Sequence, residues 1–255
     1  MKNTFKNILV VFVLTLATFA CGITAPAGTP QPVLPVMVEP VELKSSPLSE
    51  ESQAPVYKIT AQNPYLDPST DPSVQAFNTA VKSIVDGEIA AFKGSMAEMP
   101  AMPISAGSSF DIQYQLIGQK GSIWSIQFNV NGYADGAAHP YHYAIPFNYD
   151  LQNAKQLTLD DIFLPNSNYL QTLSDYSKTE LTSRNIGFED GFQQGAEPTA
   201  ENYKNWNISN EGFLVITFNE YQVAAYAAGP QVVTIPLSSL GQIINSQGPL
   251  APFLQ

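Results

Sequence analysis

The chain has 255 residues, with 11 basic and 22 acidic side chains, a net charge of −11 and a single cysteine. So acidic a chain, with Arg184 as its sole arginine, lacks the basic clusters that phosphate recognition needs, which argues against nucleic-acid binding. One cysteine permits no intramolecular disulfide, so stability has to come from a packed core.

Lys2 and Lys6 are the only charges in the first twenty residues, and Ile8 to Ala20 is an apolar run broken only by threonines. A basic start followed by a short apolar stretch reads as a secretory signal peptide over 1–20. The run falls short of the ~20 residues that span a bilayer as a helix. Cys21 follows directly, between Ala20 and Gly22, and this resembles the lipobox of bacterial lipoproteins, with Thr18 where an aliphatic residue is usual. Cys21 is therefore the expected lipidation site, and the expected location is the cell envelope, outside the cytoplasm, with the membrane reached through the lipid. Removing Lys2 and Lys6 with the leader leaves 9 basic against 22 acidic residues, a charge near −13.

Prolines 26, 30, 32, 35, 40, 47 and 55 punctuate residues 21–55, which contain no aromatic side chain. Such a stretch buries too little apolar surface to offset its ordering entropy, so it reads as an extended stalk. In polyproline geometry it would reach on the order of 100 Å. The globular part is expected from Val56, in two closely packed lobes over 56–147 and 148–246, with a tail at 247–255.

Val56 to Ala61 is a short strand candidate, broken at Asn63-Pro64-Tyr65. Asp71-Pro72 starts a helix in which Val74, Phe77, Val81, Ile84, Val85, Ile89 and Phe92 recur at helical spacing, to about Lys93. A Met- and Pro-containing loop follows, over 94–107. Phe110, Ile112, Tyr114 and Leu116 alternate, as do Trp124, Ile126, Phe128 and Val130. With the turn at Gln119-Lys120-Gly121 they predict a hairpin. Tyr143, Ile145, Phe147 and Tyr149 predict a third strand. A second helix is expected from Asn166 or Ser167 to about Arg184, with Leu170, Leu173, Ser177 and Leu181 inward. Strands at 206–208, 213–218 and 232–237 and a short helix near 238–244 complete an α+β fold: antiparallel sheets with two main helices.

Three segments carry a family resemblance. They are Tyr133-Ala-Asp-Gly-Ala-Ala-His-Pro140; Phe147-Asn-Tyr-Asp-Leu151 through Leu157-Thr-Leu-Asp-Asp-Ile-Phe163; and Phe213-Leu-Val-Ile-Thr-Phe218 with Tyr221–Pro230 and Val233-Thr-Ile-Pro-Leu237. Together they resemble the extracytoplasmic domain of RsiV-type anti-sigma factors, also found at the front of PdaC-type peptidoglycan deacetylases, over roughly 56–246. The chain departs from that pattern at Ala137, where a second glycine is frequent, and at Ala225, where proline is. The resemblance implies the accessory domain alone, without a sigma-binding or deacetylase part. In the RsiV-type proteins that domain binds lysozyme.

His139 and His142 are the only histidines, and with Asp135, or with Asp160 or Asp161, they offer a zinc-compatible set of donors. Spaced by three around a proline, they do not share a helical face, so no metal or other cofactor is expected, and loop histidines bonded to backbone are the plainer reading. No Gly-x-Ser-x-Gly signature or phosphate-binding glycine loop is present. Asp160-Asp161 reads as a turn cap rather than as a catalytic carboxylate pair. Tyr221 and Tyr226 flank small residues ending in Gly229-Pro230, as core packing or as a binding rim; Trp124 and Trp206 read as core. The expected function is a non-catalytic envelope binding module, its ligand a basic protein such as lysozyme or a cell-wall glycan. The candidate binding residues are Asp135, His139, Tyr141, His142, Tyr221 and Tyr226. The alternative is an envelope hydrolase acting on cell-wall material through the His139 loop.

Overall fold

The structure, a computed structural model, describes residues 40–98 and 106–254. The expected signal peptide, Cys21 and most of the expected stalk lie outside the described residues. A six-stranded sheet runs in sequence order: β1 (Glu42–Gln53), β2 (Val56–Asp67), β3 (Ser108–Lys120), β4 (Ile123–Tyr133), β5 (Tyr141–Asp150) and β6 (Lys155–Gln156). Helix α1 (Pro72–Glu98) connects β2 to β3. Beyond β6 come α2 (Leu159–Ile162), α3 (Tyr169–Ser183) and a three-stranded antiparallel sheet of β7 (Trp206–Ile208), β8 (Phe213–Phe218) and β9 (Gln231–Pro236). The fold is α+β. Among the described residues, no helix is long and apolar enough to cross a membrane.

The expected antiparallel pairing holds everywhere but between β2 and β3, which run parallel, Tyr57 to Ala61 beside Ser108 to Ile112. Parallel neighbours need a long crossover, and α1 supplies it. Val74, Phe77, Val81, Val85, Ile89, Phe92 and Met96 form the buried stripe of α1, which continues past Lys93 into the segment expected to be loop. That stripe packs on the side chains of Phe110, Ile112, Trp124, Ile126, Phe128 and Phe147 to make the first core.

Residues 42–53, expected to be stalk, form edge strand β1 instead, paired along its whole length with β2. Most of its side chains are exposed, so alternation gives no signal; the backbone ladder and the packing of Val41 and Leu43 on the first core hold it. Nor does Pro64 end β2, which continues to Asp67. At Leu66 the Asn78 side chain accepts from the backbone N–H (2.7 Å) and donates to the carbonyl (2.9 Å), in the manner of a neighbouring strand. Pro64 shares that outward parity, so its missing N–H costs no ladder bond.

The first sheet takes in β5 to Asp150 and then β6, so the division between lobes falls near Leu157 rather than at 147/148. In the second core, α3 contributes Leu173 and Leu181 and the strands contribute Leu214, Ile216, Val233 and Ile235. Asp161 closes a capping box with Thr158 at the start of α2, the capping role expected for the acid pair. The expected tail is also part of this core: Leu250 is fully buried and Phe253 nearly so.

The second lobe closes the sheet face opposite α1. Along β4, even-numbered side chains face α1, whereas Ser125 and Gln127 face β7 and β8. The Ser125 hydroxyl donates to Asn148 Oδ1 (2.6 Å) and accepts from the Ile208 N–H (2.9 Å). Asn207 Nδ2 donates to Ser125 Oγ (3.0 Å) and to the Ile126 carbonyl (2.9 Å), and Asn148 Nδ2 to the Trp206 carbonyl (2.7 Å). Ser125, Asn148 and Asn207 are buried. A bulge at Leu116/Gly118 brings β3 against β7 so closely that a β-carbon on Gly118 would lie 2.4 Å from the Ile208 carbonyl oxygen.

Candidate functional site

Strand β5 pairs with β4 on one side, but β6 covers only its last two residues on the other. The remaining edge exposes the N–H groups of His142 and Ala144, which an edge strand has to satisfy or conceal. Pro146 has the same parity and presents none. The segment after β8 caps the other two with side chains. Asn219 Oδ1 accepts from the Ala144 N–H (2.9 Å) and Glu220 Oε2 from the His142 N–H (3.2 Å). Glu220 Oε1 also accepts from His142 Nδ1 (2.9 Å), with the Glu220 side chain only 9% exposed.

This docking carries the next residues onto the loop before β5. A turn from Asn219 to Gln222 is closed by the Gln222 N–H on the Asn219 carbonyl (3.1 Å). Tyr221 holds its third position at φ 65°, where glycine or asparagine is usual. Its side chain reaches His139, with 3.2 Å between the hydroxyl and Nε2. Tyr226 stacks on the imidazole with ring centres 4.0 Å apart and donates its hydroxyl to the Pro140 carbonyl (3.0 Å). His139 Nδ1 lies 2.8 Å from the same carbonyl. A carbonyl only accepts, so Nδ1 carries a proton, and in the neutral ring Nε2 is left to accept from Tyr221. Burial, helped by Glu220 and Tyr221, raises the Tyr226 phenol above its ordinary range.

His139, His142, Tyr221 and Tyr226 thus come together from two segments about 80 residues apart, one in each lobe. Asp135 and Tyr141 do not join them. The Asp135 N–H donates to Ser108 Oγ at the start of β3 (3.0 Å), and its Oδ2 is buried without a hydrogen-bond partner. Tyr141 projects from the opposite sheet face. Its ring lies across Gly132, where a β-carbon would come within 2.1 Å of Cζ, and it stacks parallel to Tyr143. Burial and the nearby Glu88 carboxylate raise its phenol. The sequence reading missed Asn219 and Glu220, which hold the site together. The available signal was modest: Glu220 is the last charged residue in the chain.

The rim is open surface: Tyr221 is 56% exposed, and Gly136 to Pro140 are exposed as well. Two depressions lie elsewhere, beside α3. One of about 610 Å³ is bordered by Lys178, Thr182, Phe188 and Glu189, and another of about 570 Å³ by Asp175, Tyr176 and Glu180. Neither brings together groups of a recognisable chemistry, so the rim is the better candidate. Among the described residues, no group of three or more His, Cys, Asp or Glu is placed to hold a metal.

Residues 160–238, within the second lobe, match the model of a family described as a protein of unknown function, DUF3298. The chain is 27% identical, over 175 residues and 68% of its length, to the peptidoglycan-N-acetylmuramic acid deacetylase PdaC of Bacillus subtilis. The match spans only 37% of that enzyme. A DUF3298-family structure from Bacteroides fragilis superimposes with a TM-score of 0.61 at 18% identity, covering 84% of this chain and 97% of that one. A second, from Pseudomonas aeruginosa, gives 0.54 at 17% identity, with 81% and 94% covered. At these identities the structures speak to fold alone. The findings bear out the resemblance to a domain shared with the N-terminal region of PdaC.

Proposed function

We propose that this chain is a non-catalytic binding module of the cell envelope, held outside the cytoplasm through Cys21, and that the rim of His139, Tyr221 and Tyr226 receives its ligand. The observation that carries this reading is the exposed, stacked aromatic cluster, which the two lobes build jointly and which the Glu220–His142 contact holds in place. Aromatic groups of this kind favour interfaces and sugars, and a site already ordered before binding loses less entropy when its ligand arrives. The ligand is a cell-wall glycan or a basic protein such as lysozyme; PdaC, by its name, acts on peptidoglycan.

The geometry favours binding over hydrolysis through the His139 loop. The hydrolase reading needs a carboxylate beside His139, whereas that ring meets Pro140, Tyr221 and Tyr226, and Glu220 engages His142 instead. Calorimetric titration of the purified chain with solubilised cell-wall glycan and with hen lysozyme, each at low and at physiological salt, tests the proposal. Binding of either ligand that survives physiological salt is expected. Lysozyme binding confined to low salt, with no glycan binding, would reduce the interaction to charge attraction and overturn it, as would the absence of any binding.

A further inference from the structure

The charges of this chain are unevenly placed around its rim. Neither 136–149 nor 221–255 contains an Asp, Glu, Lys or Arg, although the chain as a whole carries 33 such residues and a net charge of −11. Two acids flank these segments, and neither presents an exposed carboxylate at the rim: Asp135 is half-buried with its Oδ2 inside. Asp135 is drawn to Ser108 through its backbone, and Glu220 is nearly buried and engaged by His142. Exposed carboxylates lie away from the rim, at Glu51, Asp86, Asp175, Glu189 and Glu211. A cationic partner would gain more among these than at the rim, where no exposed carboxylate awaits it.

What the rim does offer is aromatic surface among small side chains. Ala137, Ala138, Ala225, Ala227 and Ala228 are exposed, and so is the Tyr221 ring, while Tyr226 is half-buried. Tyr221 keeps its bulky ring in a left-handed backbone conformation that glycine would adopt without strain. Residues held in such conformations cluster at ligand-binding positions, because the surroundings over-determine them. Asn219 and Glu220, immediately before it, supply that constraint by clamping the turn to β5.

Building on the binding role proposed above, we propose that the ligand at the rim is an uncharged sugar ring of a polysaccharide, stacked on Tyr221. The C–H face of a pyranose is apolar and matches an open aromatic ring, while its hydroxyl groups find the Tyr221 and Tyr226 hydroxyls at the ring edges. With no charge on either side, the interaction is insensitive to salt, unlike any attraction between this acidic chain and a basic protein.

The test is calorimetric and NMR titration of the purified chain with neutral chitotetraose, beside hen lysozyme, at low and physiological salt. Chitotetraose is expected to bind equally at both. Tyr221→Gly is expected to weaken that binding by about tenfold or more, because it removes the platform. It also relieves the backbone, so its melting temperature should stay within a few degrees of the parent's, which separates loss of the ring from loss of the fold. Tyr176→Ala, at an exposed tyrosine on α3, should leave chitotetraose binding unaltered. Salt-resistant lysozyme binding with no chitotetraose binding would overturn the sugar assignment and leave the binding role standing. Chitotetraose binding undiminished in a folded Tyr221→Gly would overturn the site. Failure of both ligands would overturn the binding role with it.

Discussion

The two faces of the six-stranded sheet are closed by different physics. Toward α1 the closure is apolar: Phe77 sets its ring edge against Trp124, Phe147 and Tyr149, with centres 5.3 to 6.1 Å apart. Toward the second lobe it is largely polar, through Ser125, Asn148 and Asn207, with Ile123 at the end of β4 joining the second core. Apolar burial is strong but non-directional, and it tolerates small shifts of one layer over another. Buried hydrogen bonds contribute less each, yet they are satisfied in one arrangement only. The contrast teaches that α1 stabilises the sheet, whereas the polar face sets the register between the lobes and so brings the 219–226 segment to β5.

Phe77→Ala should have the largest effect. It empties a fully buried site, and urea denaturation should show a loss of ~3–5 kcal/mol. A much smaller loss would mean that the apolar face can collapse around the gap, and the contrast between the faces would weaken. Asn207→Ala should cost less, ~1–3 kcal/mol, by removing the side-chain donor to the Ile126 carbonyl and one of the two donors to Ser125 Oγ. Its distinguishing consequence is positional: amide resonances of 139–144 and 219–226 should shift together as the lobes lose register. If they stay fixed while stability falls, the polar face is not what aligns the site.

The mildest effect is alkaline. Burial, with the Asp160 hydrogen bond, pushes the Tyr169 phenol in the second lobe from 10.0 up to about 12. Burial and the Glu88 carboxylate raise Tyr143, on the α1 side, still further. A phenol whose folded value is raised binds its proton more tightly folded than unfolded. The stability it contributes is therefore fully present below pH 10 and declines as the pH climbs through the folded value. Phenolate absorbance should show Tyr169 ionising near pH 12 and Tyr143 after it, with the urea midpoint falling from pH 10 until they have ionised. Ionisation of both at the ordinary value would mean that neither face shields its tyrosine.

Much of this could be read locally. The helical stripe from Val74 to Phe92 and the alternations over 110–116, 124–130 and 143–149 are statements about which face is wet, and short-range periodicity records them directly. The elements that escaped lack such a record. Strand β1 shows no apolar alternation because its ladder to β2 is made of backbone, and Leu250 and Phe253 reach the second core from a segment with no regular period. Within the site, residue types marked His139, His142, Tyr221 and Tyr226 as candidates but not their meeting, and they gave no sign that Asp135 and Tyr141 lie apart from them. In a strand, neighbours point to opposite faces, so His142 and Tyr141 could not both belong.

The sequence alone determined the α+β class, the facing of the main helix and strands, and the candidacy of His139, His142, Tyr221 and Tyr226, because each rests on residue chemistry or on contacts within a few positions. Only the tertiary structure decided that Glu220 and Asn219 cap the open edge of β5, and that a tyrosine is held there at positive φ. Those contacts join residues more than 70 positions apart. No local pattern encodes them, since they exist only once the buried polar face has set one lobe against the other.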